Sequence, residues 1–320
     1  MRVLSVGHFT IDSITLSDGT RRGDLFGGDS VYAAVGAAIW GATVKTVSVV
    51  GADYPQAWLH DLQSAGIGVD GVRSLRVRHK LIARMAYDKA LRRQNDRGEP
   101  NPATQGMSRA ARARRWATFS PKRPDADAFT PWADAVHIAG MPINRQNDFL
   151  RLFYSPSRLV SLDLPWPPDL YDAGMLPRVD LASAVLLSDA ESKGIFPGQT
   201  PRQVRRSLRL AGAQTVVLKR GSKGSIVFSS GSGPGSPVGP FPTQVVDPTG
   251  AGDAYCGGFL VGLAETSDPE IAGLYGAVSA SFVIEGFGAG YALRFGRVDA
   301  ERRLRELRRA TINASQEVHE

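Results

Sequence analysis

Short β-branched runs alternate with longer segments of helical spacing along most of the 320 residues, and this alternation restricts the fold more than any other feature. VLSV (3–6), VKTVSVVG (44–51), AVHIAG (135–140), LVSLDL (159–164), AVLLS (184–188), TVVLK (215–219) and SIVF (225–228) have the length and composition of strands. Between them SVYAAVGAAIWGA (30–42), YPQAWLHDLQSAG (54–66), QNDFLRLFYS (146–155) and PRQVRRSLRLAG (201–212) place apolar residues near i, i+3 and i+4. Strands that are apolar on both faces and separated by helices predict an α/β fold, with a mostly parallel sheet covered on both sides.

Two segments break the rhythm. Residues 9–26 alternate weakly and carry turn residues, and 77–90 hold the strand-like LIARMAY behind a basic run. Together they predict a small second sheet where a lid would sit. The length is that of one domain spanning 1–320, with lid segments at about 9–26 and 75–125. The glycine- and proline-rich SSGSGPGSPVGPFP (229–242) is expected to be a loop or wide turn.

The formal charge of +7 is unevenly spread, concentrating between Arg84 and Arg123 and in the tail ERRLRELRR (301–309). The tail alternates signs at helical spacing, which predicts a solvated surface helix. LRRQNDRGEPNPATQGMSRAARARRW (91–116) admits two readings, a solvated insertion or a positive rim that attracts phosphate-bearing molecules. Neither makes nucleic acid an expected partner. No apolar run approaches the roughly 18 residues of a membrane span. The start MRVLSVGHF lacks a signal-peptide cleavage pattern, and the single Cys256 rules out an internal disulfide framework, so a cytoplasmic protein is expected.

Several chemistries are excluded by their missing strings. G-x-x-x-x-G-K-[ST] does not occur, GFGAG (286–290) lacks the spacing of a dinucleotide fingerprint, and the five histidines form no zinc cluster. VVDPTGAGDAYCGGF (245–259) is different. If a helix begins near Gly252, the N–H groups of 250–253 are unpaired donors at the positive end of its dipole, a ready anion hole. Asp253 beside them is either a helix cap or a base. Phosphoryl transfer would use both parts: a carboxylate takes the proton of the attacking hydroxyl, and fixed donors hold the phosphoryl charge.

DPTGAGDAYCGGF resembles the C-terminal signature of the ribokinase-like, or PfkB, carbohydrate kinase family. FGGDSVYAAVGAAIWGA and VSVVGADYPQAWLHDLQSAGI, within 26–67, resemble its N-terminal signature. AVLLSDAES (184–192) stands where the family has an Asn-x-x-Glu element, and VVLKRGSKGSIVF (216–228) where a strand ends in a nucleotide loop. Four matches in the family's order are far more specific than any one of them.

The resemblance implies a ribokinase-like three-layer α/β/α sandwich with a small β-sheet lid, and transfer of the γ-phosphate of ATP to a hydroxyl of a sugar or sugar-like small molecule. Carried over, Asp253 is the general base, and Gly250, Ala251 and Gly252 form the anion hole with its amide. Glu191 acts on Mg2+ through water, next to Ser188, and Lys219, Gly221, Ser222 and Gly224 face the nucleotide. Asp12, Gly27, Gly28 and Tyr32 meet the acceptor. Asp247 and Thr249 fall where many members hold K+, with further ligands from 280–290, although an acid capping the turn accounts for the same residues. A homodimer through the lid is a family habit.

This chain departs from the pattern at four positions. Ser188 replaces asparagine, Lys219 replaces a commoner threonine and could pair with phosphate, and Pro248 stands in place of a threonine, which resembles branches that contain inositol kinase-like and broad nucleoside or sugar kinases. Tyr32 stands where ribokinases have a sugar-binding asparagine, which counts against ribose itself because a ring cannot reproduce paired amide hydrogen bonds. A nucleoside or inositol kinase is the alternative within the fold, and the basic insertion leaves a sugar phosphate open as acceptor. A non-catalytic sugar- or nucleotide-binding regulator is the alternative outside it, favoured by Ser188 and opposed by the intact GAGD.

Overall fold

In the computed structural model, which describes residues 1–91, 93, 106–164, 174–229 and 233–317, all seven β-branched runs form strands. Along the chain the elements are β1 (Arg2–Val6), β2 (Thr10–Thr15), β3 (Arg21–Gly27), α1 (Asp29–Ala38), β4 (Thr43–Gly51), α2 (Gln56–Ser64), β5 (Ile67–Leu75) and β6 (Ile82–Ala86). Next come α3 (Arg109–Phe119), α4 (Arg123–Ala126), β7 (Ala135–Ile138), α5 (Ile143–Phe153), β8 (Leu159–Asp163), β9 (Ala184–Ser188), α6 (Asp189–Ile195) and α7 (Pro201–Leu210). The last are β10 (Thr215–Lys219), β11 (Ser225–Phe228), β12 (Ser236–Val238), α8 (Ala251–Thr266), α9 (Pro269–Val283) and α10 (Arg297–Glu317).

Nine strands form one sheet in the order β12-β11-β10-β9-β8-β7-β1-β4-β5. From β10 to β5 every neighbouring pair is parallel, and β11 and β12 close one edge antiparallel. Side chains alternate between two cores, as strand geometry requires. Val3, Val44 and Val217 face α1, α8 and α9 with Phe259 and Phe282, whereas Leu4, Val47 and Leu218 face α5 and α7 with Phe149, Phe153 and Leu208. Each fully buried Phe or Leu of this kind stabilises the fold by ~1.5–3 kcal/mol. These are the three layers expected.

The chain leaves β1 for β4 on one side and later sets β7 on the other. A reversal of this kind opens a crevice at the carboxyl ends of the strands, where ligands bind in open α/β sheets. The second sheet, ordered β3-β2-β6, lies apart from the first. It is tied to α2 by the stacked rings of Phe26 and Trp58, 5.4 Å apart. The register of β2 against β3 shifts between Asp12 and Ile14, an irregularity of the sort that re-aims a side chain.

Three elements differ from expectation. The segment predicted as a loop at 229–242 contains β12, whose three residues pair with β11. Edge strand β5 escapes the apolar-run criterion because glycines and charges interrupt it (IGVDGVRSL). The basic insertion contains α3, capped where Ser108 Oγ accepts from Ala111 N at 3.2 Å and anchored by Trp116 and Phe119 against Val49 and Leu81. The rest of that insertion, 92 and 94–105, lies outside the described residues. The tail is helical as predicted: in α10 Arg297 pairs with Glu301 and with Glu265 of α8, both at 2.8 Å. Among the described residues no helix is long and apolar enough to cross a membrane.

Candidate active site

The crevice is closed at one end by the start of α8. Gly250 is its N-cap in the left-handed region, at φ 76°, and a Cβ there would also run into the Tyr32 ring, so glycine is required on both counts. Ala251 N donates to Pro248 O at 3.3 Å and so closes the turn. The expected ring of amides is therefore reduced by one: among the described residues, the N–H groups of Gly250, Gly252 and Asp253 have no protein acceptor. The two carboxylate oxygens of Asp253 likewise accept no described hydrogen bond, so the residue does not act as a cap. Burial pushes its carboxyl well above the usual range, helped by Asp163, Asp29 and Glu191 and opposed by Lys219.

Three strand ends supply the floor. Lys219, at the end of β10, is 7% exposed, and its Nζ lies 2.7 Å from Asp163 Oδ2 at the end of β8. The ammonium expected to reach phosphate is thus already engaged by a carboxylate. Asp163 Oδ1 is buried without a partner. At the end of β9, Ser188 Oγ accepts from Glu191 N at 3.2 Å and Glu191 Oε2 accepts from Ser188 N at 2.6 Å, a capping box that opens α6. Burial and Asp163 push Glu191 up to about 7. Gly221 and Ser222 are exposed in the turn between β10 and β11, where Gly224 N donates to Gly221 O at 2.9 Å.

Opposite lies the small sheet. Asp12 on β2 is 2% exposed, accepts from Thr10 Oγ1 at 2.5 Å, and lies so close to Gly27 that any side chain there would displace it. Gly28 caps α1. The hydroxyls of Tyr32 and of Tyr54 are buried without a partner. Burial, with Asp12 and Asp247 nearby, keeps the Tyr32 phenol protonated. Asp247 Oδ1 accepts from Thr249 N at 2.9 Å, its Oδ2 is buried and unpartnered, and Thr249 Oγ1 shares a hydrogen bond of 2.8 Å with Tyr87. Val246 N and Asp247 N both donate to Ile284 O, at 2.8 and 3.2 Å, which brings the 280–290 region beside Asp247.

The structure thus gathers Asp253, Gly252, Glu191 and Lys219 at one end of the crevice and Asp12, Gly27, Tyr32 and Asp247 at the other. Two residues not foreseen join them. Asp163 ends the buried run LVSLD, and a carboxylate closing an apolar strand was a readable signal. Asp29 accepts from His8 N and Ser30 N, both at 2.6 Å, and nothing local in the sequence marks it.

One consequence is a pH-dependent stability. Burial, aided by Asp247 and Asp29 and opposed by Thr10 and Arg93, pushes Asp12 from 3.8 up to about 7. The folded state holds that proton where the unfolded state has released it, so stability falls as pH rises between 3.8 and about 7. Asp12→Asn is expected to flatten the slope, gaining roughly 1–4 kcal/mol relative to wild type between pH 5 and pH 8 in urea unfolding. Parallel curves for the two proteins would show that Asp12 ionises freely.

Comparison with known proteins matches residues 133–294, half of the chain, to the model of the pfkB family carbohydrate kinases. The chain belongs to this family. As a pfkB family member it is a kinase, a phosphotransferase with an alcohol group as acceptor, and the non-catalytic alternative falls away. The cytidine kinase of Thermococcus kodakarensis is 29% identical over 262 residues, covering 80% of this chain and 86% of that protein. The nucleoside kinase of Methanothermobacter thermautotrophicus is 26% identical over 300 residues, covering 89% and 90%. The nucleoside kinase of Burkholderia thailandensis, solved in complex with inosine, superposes with a TM-score of 0.74 at 18% identity, over 96% of this chain and 98% of that one. The pfkB member described here therefore has the ribokinase-like fold.

Proposed function

We propose that this chain transfers the γ-phosphate of ATP to a hydroxyl of a nucleoside, with Asp253 as general base. The observation that carries the reading is the Asp253 carboxylate, free of any described hydrogen bond, beside the unpartnered N–H groups of Gly252 and its own residue. Support for the acceptor class comes from the two relatives above, which act on nucleosides and match the chain over 80% and 89% of its length. The buried hydroxyls of Tyr32 and Tyr54 and the Asp12 carboxylate offer a polyhydroxylated ligand several partners.

In this mechanism the acceptor hydroxyl lies between Asp12 and Asp253. Its oxygen attacks the γ-phosphorus, the bond to the bridging oxygen of ADP breaks, and the proton passes to Asp253. The N–H groups of Gly252 and Asp253 hold the charge spread over the phosphoryl oxygens. The exposed turn of Gly221 and Ser222 is the place for the nucleotide, and the β3-β2-β6 sheet acts as the lid that excludes water.

The residues present suit the expected ions. Among the described residues no three acidic, histidine or cysteine side chains cluster to hold a metal directly, which fits Mg2+ held by phosphates and water. Glu191 would orient that water, because the capping bond engages only its Oε2. Bound Mg2+ supplies neutralising charge to the phosphates. Asp247 and Thr249 would hold a monovalent cation, as the buried, unpartnered Oδ2 of Asp247 suits one.

The test is ADP release with MgATP, with and without K+, across cytidine, inosine, ribose, fructose and myo-inositol. Nucleosides are expected to exceed the free sugars in kcat/KM by about tenfold or more. A free sugar in first place would sink the acceptor assignment.

A further inference from the structure

The end of β10 sets a charge beneath α8 that the mechanism above leaves without a task. Lys219 Nζ lies 2.7 Å from Asp163 Oδ2, 3.3 Å from Cys256 Sγ and 3.5 Å from Gly252 O. Cys256 Sγ reaches Gly252 O at 3.2 Å and Asp163 Oδ2 at 3.5 Å. The carbonyl of Gly252 and the N–H of Asp253 are the two ends of one peptide group. A cation at the carbonyl end fixes the plane of that peptide and polarises the N–H at its other end, which has no acceptor among the described residues.

We propose that Lys219 is a positioning residue for phosphoryl transfer, the resident cation that fixes the Gly252–Asp253 peptide from below and favours the proton-accepting form of Asp253 against its acidic neighbours. The inference rests on the reading of Asp253 as the base. It reassigns Lys219 from a contact with the nucleotide to a support of the catalytic helix.

Two arguments carry it. The first concerns cost: desolvating two charges commonly offsets their attraction, and an apolar pair of similar volume is often as stable. Stability therefore does not explain why an ion pair sits here. The second is the convergence of acids. Asp253 is faced by Lys219 from β10, Asp163 from β8, Asp29 and Tyr32 from α1, Glu191 from α6, and Cys256 from its own helix. Lys219 is the one cation among these groups.

Burial works against the ammonium, but Asp163, Cys256, Glu191 and Asp253 together outweigh it and hold Lys219 protonated. The remaining neighbours stay neutral. His137 on β7 is pushed down to about 3 by burial and by the ammonium, and burial raises the Tyr255 phenol beyond physiological pH. The charge balance around Asp253 thus depends on this lysine.

The experiment is a 13C NMR titration of protein labelled at the aspartate carboxyl carbons, which needs no acceptor. The Asp253 signal is identified by its loss in Asp253→Asn. Lys219→Met is expected to raise the Asp253 midpoint by about one pH unit or more, and Asp163→Asn to lower it. The double variant Asp163→Asn/Lys219→Met carries no buried charge at the pair and remains folded if the single lysine variant does not. Its midpoint is expected to lie above that of Asp163→Asn alone. Lysine-free variants that titrate within ~0.3 pH unit of their lysine-bearing parents overturn the proposal. Acceptor-dependent ADP release by Asp253→Asn separates the two readings. Retained turnover removes the base and this proposal with it, whereas an inactive variant with unshifted titrations removes only the part assigned to the lysine.

Discussion

Asp253→Asn is expected to lower kcat by about 10²–10⁴, the usual contribution of a positioned base, while ATP binds as in wild type. The substitution keeps the shape of the side chain. It leaves the N–H groups of Gly252 and Asp253 in place, because no described hydrogen bond runs from the carboxylate to the turn. Asparagine is compatible with a helix start, so α8 should keep its first turn. Burial and three neighbouring acids disfavour the charge of Asp253, so the neutral variant is expected to be the more stable one above neutral pH. Steady-state ADP release and calorimetric titration with ATP check the two halves. Equal turnover would dismiss Asp253 as the base, and lost ATP binding would show that the carboxylate holds the nucleotide site together.

Gly257→Val is expected to harm folding and turnover together. A Cβ at Gly257 would collide with the carbonyl oxygen of Ala33, and Gly36 meets the backbone of Ala254 in the same way, so α1 and α8 pack backbone against backbone. A flexible side chain could yield, but a helix backbone cannot. Overpacking of this kind costs typically 1–3 kcal/mol, occasionally more. The two helices that must part are those that carry Gly28 and Tyr32 on one side and Asp253 on the other. A misplacement of about 1 Å between them is expected to lower kcat/KM about 10²-fold. Urea unfolding and kcat/KM measure both effects, and Gly290→Ala serves as control because nothing lies within 4 Å of a Cβ there. A valine variant as stable and active as the control would show that the helices have room to separate.

The central sheet was legible because its strands are buried on both faces, so their β-branched runs are uninterrupted. β5 was not, since an edge strand with Asp70 and Arg73 facing solvent loses that signature. α3 was hidden by the arginines around it, with Trp116 and Phe119 as its main anchors. In the site, the glycine turn and Asp253 could be read from local sequence because the turn and the helix start are local structures. The direction of Lys219 could not. Its partners Asp163 and Cys256 lie 56 and 37 residues away, and strand pairing alone brings the first of them near. Ser188 and Glu191 were placed only through the resemblance, as part of a metal-water element; the S-x-x-E spacing that opens α6 as a capping box was a local signal that went unread.

The packing of α8 also bears on the order of assembly. Four of its sixteen residues are glycines, at 252, 257, 258 and 262. Each costs a helix about 1 kcal/mol relative to alanine, so the segment alone would be largely unwound in water. Gly257 meets α1, and Gly258 meets Tyr275 and Ser279 of α9, so it is docking that makes the segment helical. The N–H groups of Gly252 and Asp253 and the Asp253 carboxylate, the proposed phosphate donors and base, therefore acquire their geometry only after both neighbours are in place. A partly folded chain can present strands and the Gly221 turn, yet it lacks the centre proposed for phosphoryl transfer.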